Sequence, residues 1–415
     1  MKILILSSTV SQFISVGKIT TELYFGLQKA GHEVFCYYLD CEKNSYEDNL
    51  YPISSKLYMK LNYQISIRTN YKLDFSTPIV HRIRKKILEF KPDVIQVIQP
   101  SSQFINNYKL FDILGRIGVP CVYSMIDENP YLGLCDNGYN CETFKEQNGC
   151  KNCTGTDAAY NKDDIMLWNV KSARQIAKLK ENGYGLCKNL FFTAPKWVIE
   201  RAKSSFLLRN KKFFVIDEFV NNKDVFIPRN YEPLLKKYEI DSSKIIILNV
   251  AKYSNIRKGV RFFLELARKL ESDSRFLFIN VGYDGDFKNL PKNFEPIGFI
   301  KNQRELSEFY SMADLYLISS SSDTMPNACL EALSCGTPIC GFNISGIPYV
   351  AEEPLGFFTE PYNIEQLAEK IKNIKKKDYE ITQKCRNYAV TRFSTEVFIK
   401  KMLSVYEVVI QNDFK

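Results

Sequence analysis

The sequence predicts an α/β chain built from two doubly wound domains, each a parallel sheet covered by helices. Three observations carry that expectation. Short, unbroken apolar runs such as ILIL at 3–6, IIIL at 245–248 and LYLI at 315–318 have the pattern of strands buried on both faces. Polar turns follow these runs and lead into stretches with apolar residues at helical spacing, as at 19–30 and 260–270, which is the order of a βαβ unit. The third is length: 415 residues exceed one ordinary core, so domains over 1–235 and 236–392 are expected, followed by a terminal helix over 393–415.

Composition narrows the class. With 45% hydrophobic and 25% charged residues, the chain is that of a globular protein. No apolar run approaches the roughly 18 residues of a membrane-spanning helix. The opening MKILILSS is charged and then briefly apolar, with no small-residue cleavage site, so it reads as a first strand and the expected location is cytoplasmic. Nearly all of the net charge of +9 falls on residues 1–230. That half suits an anionic acceptor or peripheral contact with an anionic membrane surface. No zinc-finger or RNA-binding signature accompanies the charge, so nucleic acid is not an expected partner. Residues 81–91, HRIRKKILEFK, place Ile83, Ile87, Leu88 and Phe90 toward one side. They fit an ordinary surface helix or one that touches a membrane.

The most informative stretch is 319–346, SSSSDTMPNACLEALSCGTPICGFNISG. It follows a buried strand, and Pro326 suits the first position of a helix, where a missing N–H costs nothing. The amides of Asn327, Ala328 and Cys329 then fall in a first turn with no carbonyl to accept from them, which is a ready anion site. Asp323 precedes that turn and Glu331 lies one turn into the helix, placed to bond hydroxyls on either side of a phosphate.

The spacing D-x7-E, followed by ALSCGTP, resembles the E-x7-E signature of family 4 retaining glycosyltransferases, the group 1 family with the two-lobed GT-B fold. The resemblance implies two Rossmann-like domains facing a central cleft, and a closing helix that crosses back onto the first domain. It also implies a nucleoside-diphosphate sugar as donor, UDP- or GDP-linked. Glu331 would hold the ribose, while Asp323 and the following amides hold the sugar and its phosphate. The RKG ending of the loop 252–259 resembles the donor-phosphate loop, matching Lys258 to the family's Lys and Lys252 to its Arg. Phe299 falls where the family contacts the base, and Gly17 where it has a glycine-rich turn near phosphate; a plain turn glycine is the other reading.

Two features depart from the family pattern. Its acceptor-domain His is replaced by Ile126 before Asp127, and its H-x-H by Gln96 and Ile98; the chain's histidines, His32 and His81, lie elsewhere. Asp127 or Glu128 could compensate. The insertion at 127–155 carries Cys135, Cys141, Cys150 and Cys153 at C-x5-C-x8-C-x2-C, resembling a cysteine loop of the exopolysaccharide, colanic-acid-like branch. A structural zinc on four thiolates, disulfides and free thiols all fit that spacing.

The expected chemistry is metal-independent hexosyl transfer with retention, to a glycan or lipid-linked saccharide in cell-surface polysaccharide synthesis, with no catalytic cofactor. The alternatives are an inactive homologue serving as a partner subunit and a nucleotide-sugar epimerase on the same fold.

Overall fold

The computed structural model describes residues 1–10, 15–41, 49–55, 57–58, 60–62, 64, 76–99, 107–133, 135, 138, 141–147, 170–220 and 223–411. They form two compact units: Met1–Asp217 with the chain from Ile399 onward, and Glu218–Phe398. Phe219 and Val220 belong with the second unit, where Val220 bridges to Ser394 and the Phe219 ring lies 4.3 Å from that of Phe398.

The first unit is a seven-stranded sheet of β1 (Lys2–Val10), β2 (Glu33–Cys41), β3 (Leu50–Pro52), β4 (Val94–Ile98), β5 (Cys121–Ser124), β6 (Leu190–Ala194) and β7 (Lys212–Val215). All its pairings are parallel, in the order β3-β2-β1-β4-β5-β6-β7. Ile3, Leu4 and Ile5 are fully buried, as are Val94, Ile95, Val97 and Ile98, so these strands show no polar face. The connections carry α1 (Ser15–Lys29), α2 (Thr77–Phe90), α3 (Asn107–Ile117), α4 (Val170–Leu186) and α5 (Lys196–Ser204). Gly115 brings α3 against the end of α4: a Cβ there would lie 2.4 Å from the Leu186 carbonyl. In α2, Ile79, Val80, Ile83 and Ile87 are buried. Leu88, expected on that apolar side, is instead 54% exposed beside the cations, because the stripe follows the 79, 83, 87 spacing and position 88 rotates past it.

The second unit repeats the plan with six strands: β8 (Ile245–Val250), β9 (Phe276–Val281), β10 (Phe294–Ile297), β11 (Leu315–Ile318), β12 (Ile339–Phe342) and β13 (Gly356–Thr359). The order is β10-β9-β8-β11-β12-β13, again parallel throughout. Its helices are α6 (Glu232–Lys237), α7 (Val260–Lys269), α8 (Gln303–Met312), α9 (Asn327–Ser334), α10 (Ile364–Lys372) and α11 (Tyr379–Phe393). In α7, Val260, Phe263, Leu264 and Ala267 are buried at helical spacing. The direction of winding reverses between β8 and β11, and in such sheets the crevice beyond the carboxyl ends of those two strands is where ligands bind.

The last helix, α12 (Thr395–Gln411), contributes Tyr406 to a buried polar network in the first unit. Tyr406 Oη donates to Gln96 Oε1 at 2.9 Å, and Gln96 Nε2 donates to Ser124 Oγ at 2.9 Å. Ser124 Oγ in turn lies 2.9 Å from Thr193 Oγ1, so the network joins β4, β5, β6 and α12. Tyr406→Phe would leave the Gln96 carbonyl oxygen buried without this donor. The expected loss is about 1–3 kcal/mol of stability in urea denaturation, against a change below about 0.5 kcal/mol for Ser404→Ala on the exposed side.

Candidate donor site at the carboxyl edge of the second sheet

The loop after β8 and the loop after β11 are zipped together by the run of serines at 319–322. Ser319 Oγ donates to the Lys258 carbonyl at 2.8 Å, and the Ser321 amide donates to the Arg257 carbonyl at 2.8 Å. Asn249, at the end of β8, adds a bond from Nδ2 to the Leu317 carbonyl at 2.8 Å. The approach is so close that Gly259, at φ 64°, has no room for a side chain: a Cβ would sit 2.0 Å from the Ser319 carbonyl oxygen. The serine run, polar on paper, is therefore a buried fastening.

This fastening brings charge together. Lys258 Nζ lies 2.9 and 3.1 Å from the two Asp323 oxygens, and Arg257 Nη1 lies 2.9 Å from Asp323 Oδ1. Arg257 Nη1 also donates to the Ser322 carbonyl at 2.6 Å. Burial works to raise the Asp323 pKa, but Lys258 and Arg257 outweigh it and hold the carboxyl below its ordinary value. Glu331 is buried in α9 and accepts from Tyr310 Oη at 2.9 Å.

The sequence-predicted residues are placed as follows. Lys258, Asp323, Asn327, Ala328 and Glu331 all lie on the loop after β8 or on the β11–α9 segment. Pro326 is the cap of α9 and not its first residue, so the register moves by one. The Cys329 amide consequently donates to the Pro326 carbonyl at 2.9 Å and is already engaged, which corrects its expected role as an open donor. Lys252 is exposed and lies over the Phe299 ring, 5.7 Å from its centroid; Phe299 itself is 72% exposed at the end of β10. Arg257, to which sequence reading gave no individual role, is the guanidinium on Asp323. Its place in an uninterrupted RK pair was the available signal. Gly17 sits inside the first turn of α1 and is buried, whereas the sequence put it in the turn before the helix; residues 11–14 of that turn lie outside the described residues.

In the first unit, Asp127 stands beyond β5 and Gln99 beyond β4. Gln99 Nε2 donates to Asp127 Oδ2, and Asp127 Oδ1 accepts the Asn129 amide at 3.0 Å. Glu128 points the other way: it is 1% exposed, 3.3 Å from Arg201 Nε, and takes the Tyr131 hydroxyl. It is committed to the interior. The buried Lys180 ammonium fixes the same segment, donating to Asn129 Oδ1 at 2.8 Å and to the Leu132 carbonyl at 3.1 Å. Cys135 and Cys141 are half-buried against this unit's core, while Cys150 and Cys153 lie outside the described residues. Among the described residues no group of three or more His, Cys, Asp or Glu is arranged to hold a metal ion, so the zinc expectation finds no support there.

Architecture and site together define a class. Two parallel-sheet Rossmann-like domains form the GT-B architecture, and a cationic loop meets a helix start at the switch point of the second. Residues 230–392, most of the second unit, match the family model of glycosyl transferases group 1. Among curated proteins the chain is similar to N-acetyl-alpha-D-glucosaminyl L-malate synthase of Bacillus anthracis, 23% identical over 214 residues, covering 49% of this chain and 56% of that one. It is also similar to alpha-galactosylglucosyldiacylglycerol synthase of Streptococcus pneumoniae, 26% identical over 221 residues, covering 46% and 57%. The chain thus spans little more than half the length of these relatives. Among solved structures, Anabaena Alr3699/HepE in complex with UDP superposes with a TM-score of 0.64 at 12% identity, over 98% of this chain and 100% of that one.

Glu218 was not foreseen. Its amide donates to Met325 Sδ at 3.2 Å, which brings it beside the Asp323 segment. Its carboxyl is pushed up to about 8, first by burial and then by Asp323, with Lys258 pulling the other way. Below an unfolded-state pKa of about 4.3, both folded and unfolded chains hold the proton and no penalty exists. As pH rises toward 8 the unfolded chain has released it and the folded one still binds it, so folding loses stability across that window. Glu218→Gln should therefore stabilise the protein by about 2 kcal/mol at pH 8 and by much less at pH 5, read from urea titrations at the two pH values.

Proposed function

We propose that this chain is a retaining, metal-independent glycosyltransferase that moves a sugar from a nucleoside diphosphate, UDP- or GDP-linked, to a glycan or lipid-linked acceptor in cell-surface polysaccharide synthesis. One observation carries this reading: the loop after β8 delivers two cations and α9 delivers its first turn and Glu331 to the same sheet edge. A diphosphate resting there would be offset by Lys258, Arg257 and the amides of Asn327 and Ala328, with Glu331 on the ribose hydroxyls and Phe299 and Lys252 toward the base. In the transfer, the bond from the anomeric carbon to the phosphate oxygen breaks and its electron pair leaves on the diphosphate. The acceptor oxygen bonds to the carbon on the same face, and its proton passes to a donor phosphate oxygen. Asp323 already has both oxygens engaged by cations, so its part is to aim Lys258 and Arg257 while a lone pair remains for a sugar hydroxyl.

The exposed cations of α2 and the lipid-forming activity named for the streptococcal relative support a peripheral place at the inner face of the cell membrane. Among the described residues no helix is long and apolar enough to cross a membrane.

A second reading, a partner subunit that binds nucleotide sugar without transferring it, draws on Gln96. That side chain, at a position where the family carries a His, is turned inward onto Ser124 and Tyr406 and offers nothing to a donor sugar.

Hydrolysis of a panel of nucleotide sugars tests the proposal. Lys258→Met should lower turnover about 100-fold or more, and Glu331→Ala should weaken nucleotide binding by about ten- to a hundredfold. Turnover untouched by both substitutions would remove the site assignment. Nucleotide binding without any turnover would select the partner-subunit reading.

A further inference from the structure

At the other end of the second sheet, beyond the amino ends of β8 and β11, lies a cavity of about 320 Å³. The loop 228–231, the end of α8 and the start of α11 enclose it. Arg229, Lys376 and Lys377 line it, together with Asp314, Asp378 and Tyr379. The two acids are spoken for: Asp314 Oδ2 accepts the Ile246 amide at 2.8 Å and Oδ1 the Lys377 amide at 3.1 Å, while Asp378 Oδ1 caps α11 through the Ile381 amide at 2.8 Å.

The three cations are not neutralised in the same way. Arg229 donates through Nη2 to the Asp224 and Val225 carbonyls, each at 2.9 Å, and through Nε to Ser307 Oγ at 3.3 Å. Lys377 Nζ donates to the Ser311 carbonyl and to Thr337 Oγ1, both at 2.7 Å, and Lys376 Nζ to the Ser242 carbonyl. Every one of these acceptors is a neutral oxygen, and among the described residues none of the three makes a direct ion pair with a carboxylate. Asp314 nevertheless lies near enough to Lys376 and Lys377, and Asp241 to Lys376, to act on them through space. Burial lowers the Lys377 pKa to about 8 even against the opposing pull of Asp314, a cost that a bound anion would relieve further.

We propose that this cavity is an effector site for a phosphomonoester of sugar size. The charge pattern calls for an anion with several acceptor oxygens. The volume lies at the lower end of the range for small-molecule sites and exceeds what a bare phosphate fills. Tyr379, 78% exposed at the mouth, supplies a face for the organic part. A run of hydrogen bonds connects the cavity to the opposite edge of the sheet. Lys377 bonds Thr337 Oγ1, Thr337 Oγ1 donates to the Tyr310 carbonyl at 2.5 Å, and Tyr310 Oη holds Glu331 at 2.9 Å. Occupancy that draws Lys377 toward the ligand is thereby felt at the carboxylate assigned to the ribose. Only this coupling rests on the function proposed above; the anion site stands without it.

Calorimetry on the full chain with a hexose 6-phosphate, and in a parallel arm with inorganic phosphate, at fixed ionic strength, provides the test. Saturable binding is expected, tighter for the ester than for phosphate. Lys376→Glu should weaken it at least about tenfold, since reversing an exposed charge leaves the fold intact, and Tyr379→Ala should weaken the ester alone. Lys258→Met should leave it unchanged. The ester should also shift UDP affinity about fivefold, and by linkage UDP should shift the ester's affinity equally. Binding abolished by Lys258→Met and indifferent to Lys376→Glu would place the ester in the donor site and overturn the proposal, as would the absence of saturable binding. Ester binding that responds to Lys376→Glu in a protein that binds no nucleotide would uphold the anion site while defeating the proposed function. A UDP affinity indifferent to the ester would defeat the effector role.

Discussion

Two like charges will not stay side by side at the mouth of a sheet without something to hold them. Arg257 and Lys258 are neighbours in the chain, and both are only half-exposed, at 27% and 32% of their side chains. Asp323 is what makes the arrangement stable, taking one cation on one oxygen and the other across both. Much of the local structure around it follows from that need. The serine run gives hydroxyls small enough to be buried and polar enough to bond the cation loop's carbonyls. Gly259 leaves out a side chain that would collide with the Ser319 carbonyl and keep the two loops apart. The Gly346 amide holds the Asp323 carbonyl at 2.9 Å, so the carboxylate cannot drift from the cations it neutralises. The aspartate is the counter-ion that keeps both cations oriented, and under the proposed function a diphosphate would meet them with little reorganisation.

What the sequence reveals of this protein divides along a physical line. Strands buried on both faces must be apolar on both faces, so IIIL at 245–248 and LYLI at 315–318 are legible as strands with no partner in view. The D-x7-E spacing is legible for a similar reason: loop and helix turn are consecutive in the chain, so distance along the sequence sets distance in space. Arg257 and Glu218 are of the other kind. One acquires its role by meeting a loop 66 residues away, the other by lying against Met325, 107 residues away, and no periodicity encodes either meeting. The register of α9 also escaped, because a proline is equally at home as the cap of a helix and as its first residue. Leu88 shows the same limit on a helix: apolar composition is visible in sequence, but a single position's phase relative to the sheet is set by packing.

The two units share a strand order and differ in what they place at the carboxyl edge beside the point where the winding reverses. In the second unit that edge is cationic and backed by a helix start. In the first, the ends of β4 and β5 present a neutral amide and a carboxylate, Gln99 and Asp127, bonded to each other. Gln99 adopts φ 38°, a left-handed conformation that a non-glycine residue holds only when its surroundings enforce it. Its partner Asp127 opens a segment that is itself held in place. Lys180 buries its ammonium on the carbonyl oxygens of the next turn, and Arg201 ties Glu128 to the insertion by donating to the Gly138 carbonyl at 2.8 Å. A buried ammonium bonded to neutral oxygens is expensive, and it is hard to account for as a device for stability alone. It is readily accounted for if the segment 127–132 must keep one shape. Among the described residues, the ends of β4 and β5 thus offer hydrogen-bonding oxygens and an amide in a fixed arrangement. The same topology thus carries cations around a carboxylate in one copy and an amide bonded to a carboxylate in the other, so the chemistry at the carboxyl edge is set by loop residues and not by the sheet.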